Sequence, residues 1–237
     1  LRAVSRRVVL NADDFGYDPS VSAGIVRAMR KGVVSSTTLM VNTPFSAMAA
    51  ETSEGLSLGL HLNLARWRSL CVPSHEFVES GAPALEMSFV CDETMAQLNR
   101  LDALVGRKAT HIDVHKHLHR HPSVLEGVCR AAVLARLPVR SVDASMRSFL
   151  RARGVNTNDV FIGDAGSEAY WSLEVFEKTL GSLPQTGFIE LMCHPGFAPS
   201  AVESRYAQQR EVELATFTSD DARLVMATHR VQFEAWA

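Results

Sequence analysis

Two adjacent carboxylates, Asp13 and Asp14, close an apolar run that begins Val8-Val9-Leu10, and Phe15-Gly16 follow where the chain must turn. Of nine histidines, five fall in the eleven residues from His111 to His121, with Asp113 among them, while His61 and His194 each stand in a separate apolar stretch. An Asp and two His with an open position make a ligand set for a hydrolytic divalent ion. Such an ion lowers the pKa of a bound water to about 7 and polarises an acyl oxygen. A second carboxylate can take the proton during attack, and a separate histidine can return one to a leaving amine. Two Asp, two ligating His and one further His are the minimum parts for amide hydrolysis, and the chain contains them.

Spacing separates these residues into roles. Neighbours on a strand point to opposite faces, so Asp13 and Asp14 are expected to have separate jobs rather than to share a proton. The competing local role, capping a helix or closing a turn, is weakened by the pairing and by the histidines. Leu56 to Leu64 alternates strictly, with leucines on even positions and His61 and Asn63 on the odd face beside Ser57 and Gly59. His111, Asp113, His115 and His117 likewise alternate with Thr110, Ile112, Val114 and Lys116, so one face of a strand would carry the imidazoles and the carboxylate. Five imidazoles cannot all ligate one ion. The remainder are expected to hold the ligands or meet the substrate. A solvated, tag-like histidine run is the alternative, and the interleaved Ile112 and Val114 count against it.

The elements that must position these groups alternate between strand and helix about seven times. Strand signals lie near 7–10, 36–42, 56–64, 110–117, 139–142, 160–162 and 187–193, with a short terminal run at 231–233. Helical patterns lie at 19–31, 45–52, 93–105, 124–135, 146–153, 173–180, 202–216 and 219–226. With no consecutive hairpins, the fold class is α/β with mostly parallel strands. Asp13, Asp14, His61, His115 and His194 each sit near the carboxyl end of a strand, which favours the mouth of a TIM-like barrel. Residues 65–92 lack a period and carry Pro73, Gly81 and Pro83, so they are read as an excursion over that mouth, either a functional lid or a merely irregular loop. Gly163-Asp164-Ala165-Gly166 is a flexible turn suited to close approach by a ligand. Dinucleotide and nucleotide folds lose their glycine-rich marks here.

Composition bounds the rest. A chain of 237 residues, 46% apolar and carrying a net charge of -2, suits one α/β domain spanning 1–237. The charge argues against a nucleic-acid partner, which would need a basic stripe. Cys71, Cys91, Cys129 and Cys193 form no CxxC pair and read as reduced thiols in a cytoplasmic protein. No run reaches the ~20 apolar residues of a membrane span. No leader pattern precedes the first strand, and a start at Leu1 leaves a trimmed segment open.

Four blocks together, Asn11-Ala12-Asp13-Asp14-Phe15-Gly16, Gly59-Leu60-His61-Leu62-Asn63-Leu64, Thr110 to His119, and Glu190-Leu191-Met192-Cys193-His194-Pro195-Gly196, closely resemble the YdjC-like carbohydrate deacetylases. That family includes chitooligosaccharide and hopanoid-associated deacetylases. The resemblance covers essentially the whole chain. It implies an irregular (β/α) barrel and metal-dependent removal of an N-acetyl group from an amino sugar. It places one divalent ion on Asp14, His61 and His115, makes Asp13 the general base, and makes His194 an acid or a substrate contact. Magnesium is the family's usual ion, although two imidazoles suit zinc or another transition ion better.

Asp113, His117, His119, Asn63, Asp164 and Trp67 are expected to contact substrate or support the ligands. Trp67 and Trp171 are candidates to stack on a sugar face. Ala65-Arg66-Trp67-Arg68 departs from the small-residue turn expected after the second block, which bears on the substrate more than on the chemistry. The expected partner is an N-acetylated sugar, the expected assembly a homodimer. Competing readings are hydrolysis of another bond such as a phosphoester, glycoside hydrolysis, which leaves the histidines unexplained, and a sugar- or metal-binding module in which Asp13 is dispensable.

Overall fold

A computed structural model describes residues 6–236. Strand β1 (Arg6–Phe15) is central: Val8, Val9 and Leu10 are buried, as a strand flanked by parallel neighbours on both sides requires. Asp18 then caps α1 (Pro19–Lys31), accepting from the Ser20 and Val21 amides, with Pro19 in the first turn where no donor is lost. Strand β2 (Ser36–Leu39), the short α2 (Ser46–Glu51) and β3 (Leu58–Leu62) follow. After a 3₁₀ segment at Glu79–Ala84 come α3 (Met87–Val105), β4 (Ile112–Val114), a second 3₁₀ segment at His115–Arg120, and α4 (Pro122–Ala135). Helix α5 (Ala144–Ala152), β5 (Val160–Ile162), α6 (Leu173–Ser182), β6 (Gly187–Cys193), α7 (Gln208–Thr218) and α8 (Asp220–Thr228) complete the order.

The six strands form one sheet in the order β4-β3-β2-β1-β6-β5, and every pairing is parallel. The parallel α/β architecture expected from the alternation is therefore present, with six strands among the described residues. Beyond β4, the Ile112 amide donates to Pro138 and the Arg140 amide to Ile112, while the Val139 amide donates to Asn156. Segment 138–141 thus lies along the open edge of β4. The strand expected at 139–142 is reduced to one bridge, between Ile112 and Val139.

Three further boundaries differ from the sequence reading, each for a local reason. The histidine-rich strand stops at Val114, because Lys116 and His117 adopt left-handed backbone (φ 55° and 51°). Alternation therefore fails beyond His115. Helix α3 starts at Met87 rather than 93, which shortens the irregular stretch. Helix α7 starts only at Gln208, and residues 198–207 form a loop tied to the Asp18 carboxylate by the amides of Ser200, Ala201 and Val202. Trp171 is completely buried and its indole N–H donates to Met192 O at 2.7 Å, so it belongs to the core and not to a sugar platform. All four cysteines are free. No helix among the described residues is long and apolar enough to cross a membrane.

Candidate functional site

The carboxyl ends of β1, β3, β4 and β6 open into a cavity of about 1300 Å³ whose walls include Asp13, Asp14, His61, His115 and His194. The two carboxylates face it together because β1 is irregular. Its register with β2 shifts between Ala12 and Phe15, and Asp14 holds a left-handed φ of 71°. A non-glycine residue in that region is strained, and such strain tends to accumulate at functional sites. The two carboxylates have different partners.

Asp14 joins the two histidines. Its Oδ1 lies 3.2 Å from His61 Nε2 and 3.1 Å from His115 Nδ1, and those two nitrogens are 3.1 Å apart. Ligand bonds of about 2.0–2.1 Å put neighbouring donors roughly 3.3 Å apart in a tetrahedral site and roughly 2.9 Å apart in an octahedral one. The triangle has the size one divalent ion requires. Asp14 Oδ1 is buried and has no hydrogen-bond donor of its own, as a ligand oxygen should. His61 Nδ1 lies 2.6 Å from Asp113 Oδ1, which places its proton there and turns the Nε2 lone pair to the triangle. Burial disfavours charge on His61, yet Asp113, Asp14 and Asp13 together raise its pKa to about 10. The pocket is built to hold positive charge. Asp113 is itself fixed by the Thr38 hydroxyl at 2.9 Å and Arg140 Nη2 at 2.9 Å.

Asp13 has a different setting. Arg140, completely buried, donates to it from both ends of the guanidinium, at 2.6 and 2.7 Å, and Asn11 Nδ2 donates at 2.9 Å. Burial alone would raise the Asp13 pKa, but the charge and hydrogen bonds of Arg140 hold it far below the ordinary carboxylate value. Arg140 also reaches Glu190 Oε1 from Nε at 2.8 Å. Three buried carboxylates thus share one guanidinium, and burial pushes Glu190 up to about 7 because Arg140 only partly offsets it.

His194 breaks from the end of β6, and its amide donates to Glu213 Oε2 at 2.6 Å. Glu213 also accepts from the Tyr206 hydroxyl at 2.6 Å. Burial lowers the His194 pKa to about 4, only partly countered by Asp14 and Asp13, so the ring is neutral near pH 7. Its Nδ1 has no partner among the described residues.

The supporting residues separate clearly. His117 lines the cavity, packed edge-on to Phe161 at 5.4 Å. Trp67 lines it with a left-handed φ of 66° and an edge contact to Tyr17 at 5.8 Å, and Asp164 lies on the rim. Asn63 does not face the cavity. Its side chain binds Asn42 Oδ1, the Arg66 carbonyl and the Ala65 amide, fixing the turn that presents Trp67. His119 is also off the cavity, with Nε2 3.2 Å from the Arg140 carbonyl. His111 stacks on Trp236 at 4.4 Å, away from the site.

Sequence reading missed Arg140, Arg210, Glu190 and Glu213. A signal existed for two of them. Arg140 and Glu190 are opposite charges inside apolar strand-like segments, and buried charges need partners. Arg210 and Glu213 sit with Glu211 in the polar first half of α7, where nothing local marks them as buried.

Comparison with known proteins gives consistent likenesses. The sequence model described as YdjC-like protein matches residues 7–228. A carbohydrate deacetylase of Geobacillus stearothermophilus is 35% identical over 96% of this chain and 95% of its own. A chitooligosaccharide deacetylase of Serratia marcescens is 32% identical, covering 94% of this chain and 95% of its own. Among solved structures, a putative cellobiose-phosphate cleavage protein of Enterococcus faecalis V583 superposes with a TM-score of 0.83 at 24% identity, covering 98% of both chains. That last likeness is one of fold.

Proposed function

This chain belongs to the YdjC-like protein family, and from that premise we propose that it is a hydrolase that removes the N-acetyl group of an amino sugar or acetylated oligosaccharide with the help of one divalent ion. The observation that carries the reading is the donor triangle of Asp14, His61 and His115 on one wall of a cavity with the Asp13 carboxylate beside it. The names of the relatives, carbohydrate and chitooligosaccharide deacetylase, support the substrate class.

Asp14, His61 and His115 would hold the ion, and two imidazoles with one carboxylate oxygen favour zinc or another transition ion over magnesium. Bound there, it would polarise the acetyl carbonyl and acidify a water. Asp13 is ionised at any working pH and so is always ready to accept the proton of the attacking water. The bidentate grip of Arg140 fixes the direction in which Asp13 presents its lone pairs. The same grip makes Asp13 a weak base, so it holds the proton only briefly. His194 is neutral at rest, and the proton it gives the leaving amine is therefore the one released during attack, not one stored on the ring. Trp67, Tyr17 and His117 orient the sugar.

The test is acetate release from N-acetylglucosamine and its oligomers by the wild-type chain, by the chain after chelation, and by H61A and H115A. Release that chelation stops, metal restores and both substitutions abolish is the expected result. Release that survives chelation and H61A would overturn the metal-dependent reading.

A further inference from the structure

Arg210 contacts the carboxylate of the donor triangle. It is 3% exposed although it lines the cavity. Its Nε donates to the Tyr206 carbonyl at 2.9 Å, and its guanidinium lies 5.8 Å from the ring centre of Tyr17 and 5.6 Å from that of Tyr206. From this aromatic slot Nη2 donates to Asp14 Oδ2, while Nη1 has no partner among the described residues. The backbone of the same residue accepts from the Gly196 amide at 3.1 Å, tying α7 to the turn that carries His194.

A carboxylate offers two oxygens, and here they are divided. Oδ1 faces His61 and His115, and Oδ2 is committed to Arg210. Burial alone would raise the Asp14 pKa, and Arg210 with His115 and His61 holds it well below the ordinary value.

We propose that Arg210 is a positioning residue that makes Asp14 a one-oxygen ligand and holds the site's affinity for a divalent ion below what the same three ligands would otherwise give. The proposal rests on the reading that this triangle binds such an ion. Three effects act in the same direction. Arg210 places a positive charge next to the cation site, draws electron density from the carboxylate, and denies the ion a second oxygen. Together they keep a coordination position free for water or substrate, which a catalytic site needs and a storage site does not.

The sign of the effect separates this role from a merely structural one. Losing a packing residue loosens a metal site, whereas losing Arg210 should tighten it. The experiment is titration of the metal-free full-length chain with Co²⁺, followed by visible absorption, for the wild type, R210Q, R210K and H61A. R210M serves as a second neutral variant that keeps the packing between Tyr17 and Tyr206. R210Q and R210M should bind Co²⁺ roughly tenfold tighter, with a changed spectrum as Asp14 chelates through both oxygens. R210K keeps the charge and should stay within roughly threefold of the wild type. Neutral variants that bind no more tightly than the wild type overturn the proposal. A wild-type chain that binds Co²⁺ no better than H61A overturns the metal-site reading itself, and this inference with it.

Discussion

Asp13 and Asp14 differ by one position and by everything around them. Asp13 lies against Arg140 and Asp14 between two histidines and Arg210. Breaking a buried ion cluster by removing its cation leaves uncompensated charge, at a cost of about 3–5 kcal/mol. Arg140 balances Asp13, Asp113 and Glu190 at once, so R140M is expected to lose stability of that order in urea unfolding. R140K should fold better but lose most activity, because a single ammonium cannot reproduce the two-pronged hold on Asp13. Residue type and spacing along the sequence single out Asp13, Asp14, His61, His115 and His194 as candidates, and the fold brings all five to one cavity. Type and spacing could not mark Arg140 as the partner of Asp13. Asp13 and Arg140 are 127 residues apart, and only the folded sheet brings them together.

Element by element, strands with clear alternation or continuous apolar runs were legible, and those whose backbone departs from regular geometry were not. Leu58–Leu62 falls within its predicted stretch. The alternation predicts the histidine-rich strand three residues too far, to 117 rather than Val114, because left-handed backbone at Lys116 and His117 leaves no mark in the sequence pattern. Of the stretch 65–92 expected to be irregular, residues up to 86 lie outside helix and strand apart from a 3₁₀ segment, and α3 takes the rest from Met87. Lys116 pairs with Glu79, joining the irregular stretch to the loop after β4. Trp67 stands at its root in a left-handed conformation that costs a bulky residue about 1–3 kcal/mol. W67G removes the ring and relieves the strain. It is expected to raise KM for acetylated oligomers by about tenfold, roughly the 1.4 kcal/mol expected of a lost aromatic contact, with kcat within about twofold of the wild type. A kcat that falls as far as KM rises would place Trp67 in the chemistry instead.

Across the whole molecule, buried titratable groups set the pH range of stability, and they oppose one another. His119 and His194 have pKa values of about 3 and 4 in the fold against an ordinary 6.5. Burial lowers His111, His115 and His117 as well. Below pH 6.5 the unfolded chain therefore takes up protons that the folded chain refuses, which costs stability. Glu190 and Glu213 act in reverse. Raised to about 7 from 4.5, they take up protons in the fold between those values before the unfolded chain does. From pH 6.5 to 4.5 the two glutamates offset only part of what the five histidines cost, so stability falls as the pH drops through that window. Below 4.5 the glutamates are protonated in both states, the histidines still resist, and the depressed Asp13 and Asp14 join them. Urea midpoints of the chelated chain should decline from pH 6.5 downward and fall more steeply below 4.5. Midpoints level from pH 6.5 to 4.5 would mean that the buried histidines do not titrate as described. The parallel α/β class was legible at this scale from alternation alone, whereas the six-stranded order depends on long-range pairing that no local pattern encodes.

On the proposed reading, Asp13 accepts a proton in a reaction organised by an ion on Asp14, His61 and His115, and D13N tests this most directly through acetate release from an N-acetylated oligomer, with bound metal quantified in both proteins. Wild-type metal occupancy with a loss of turnover of at least about 100-fold, the usual contribution of a positioned base, is the expected result. Turnover within about threefold of the wild type at equal occupancy would contradict it, since a loss that small is far below what removing a general base costs.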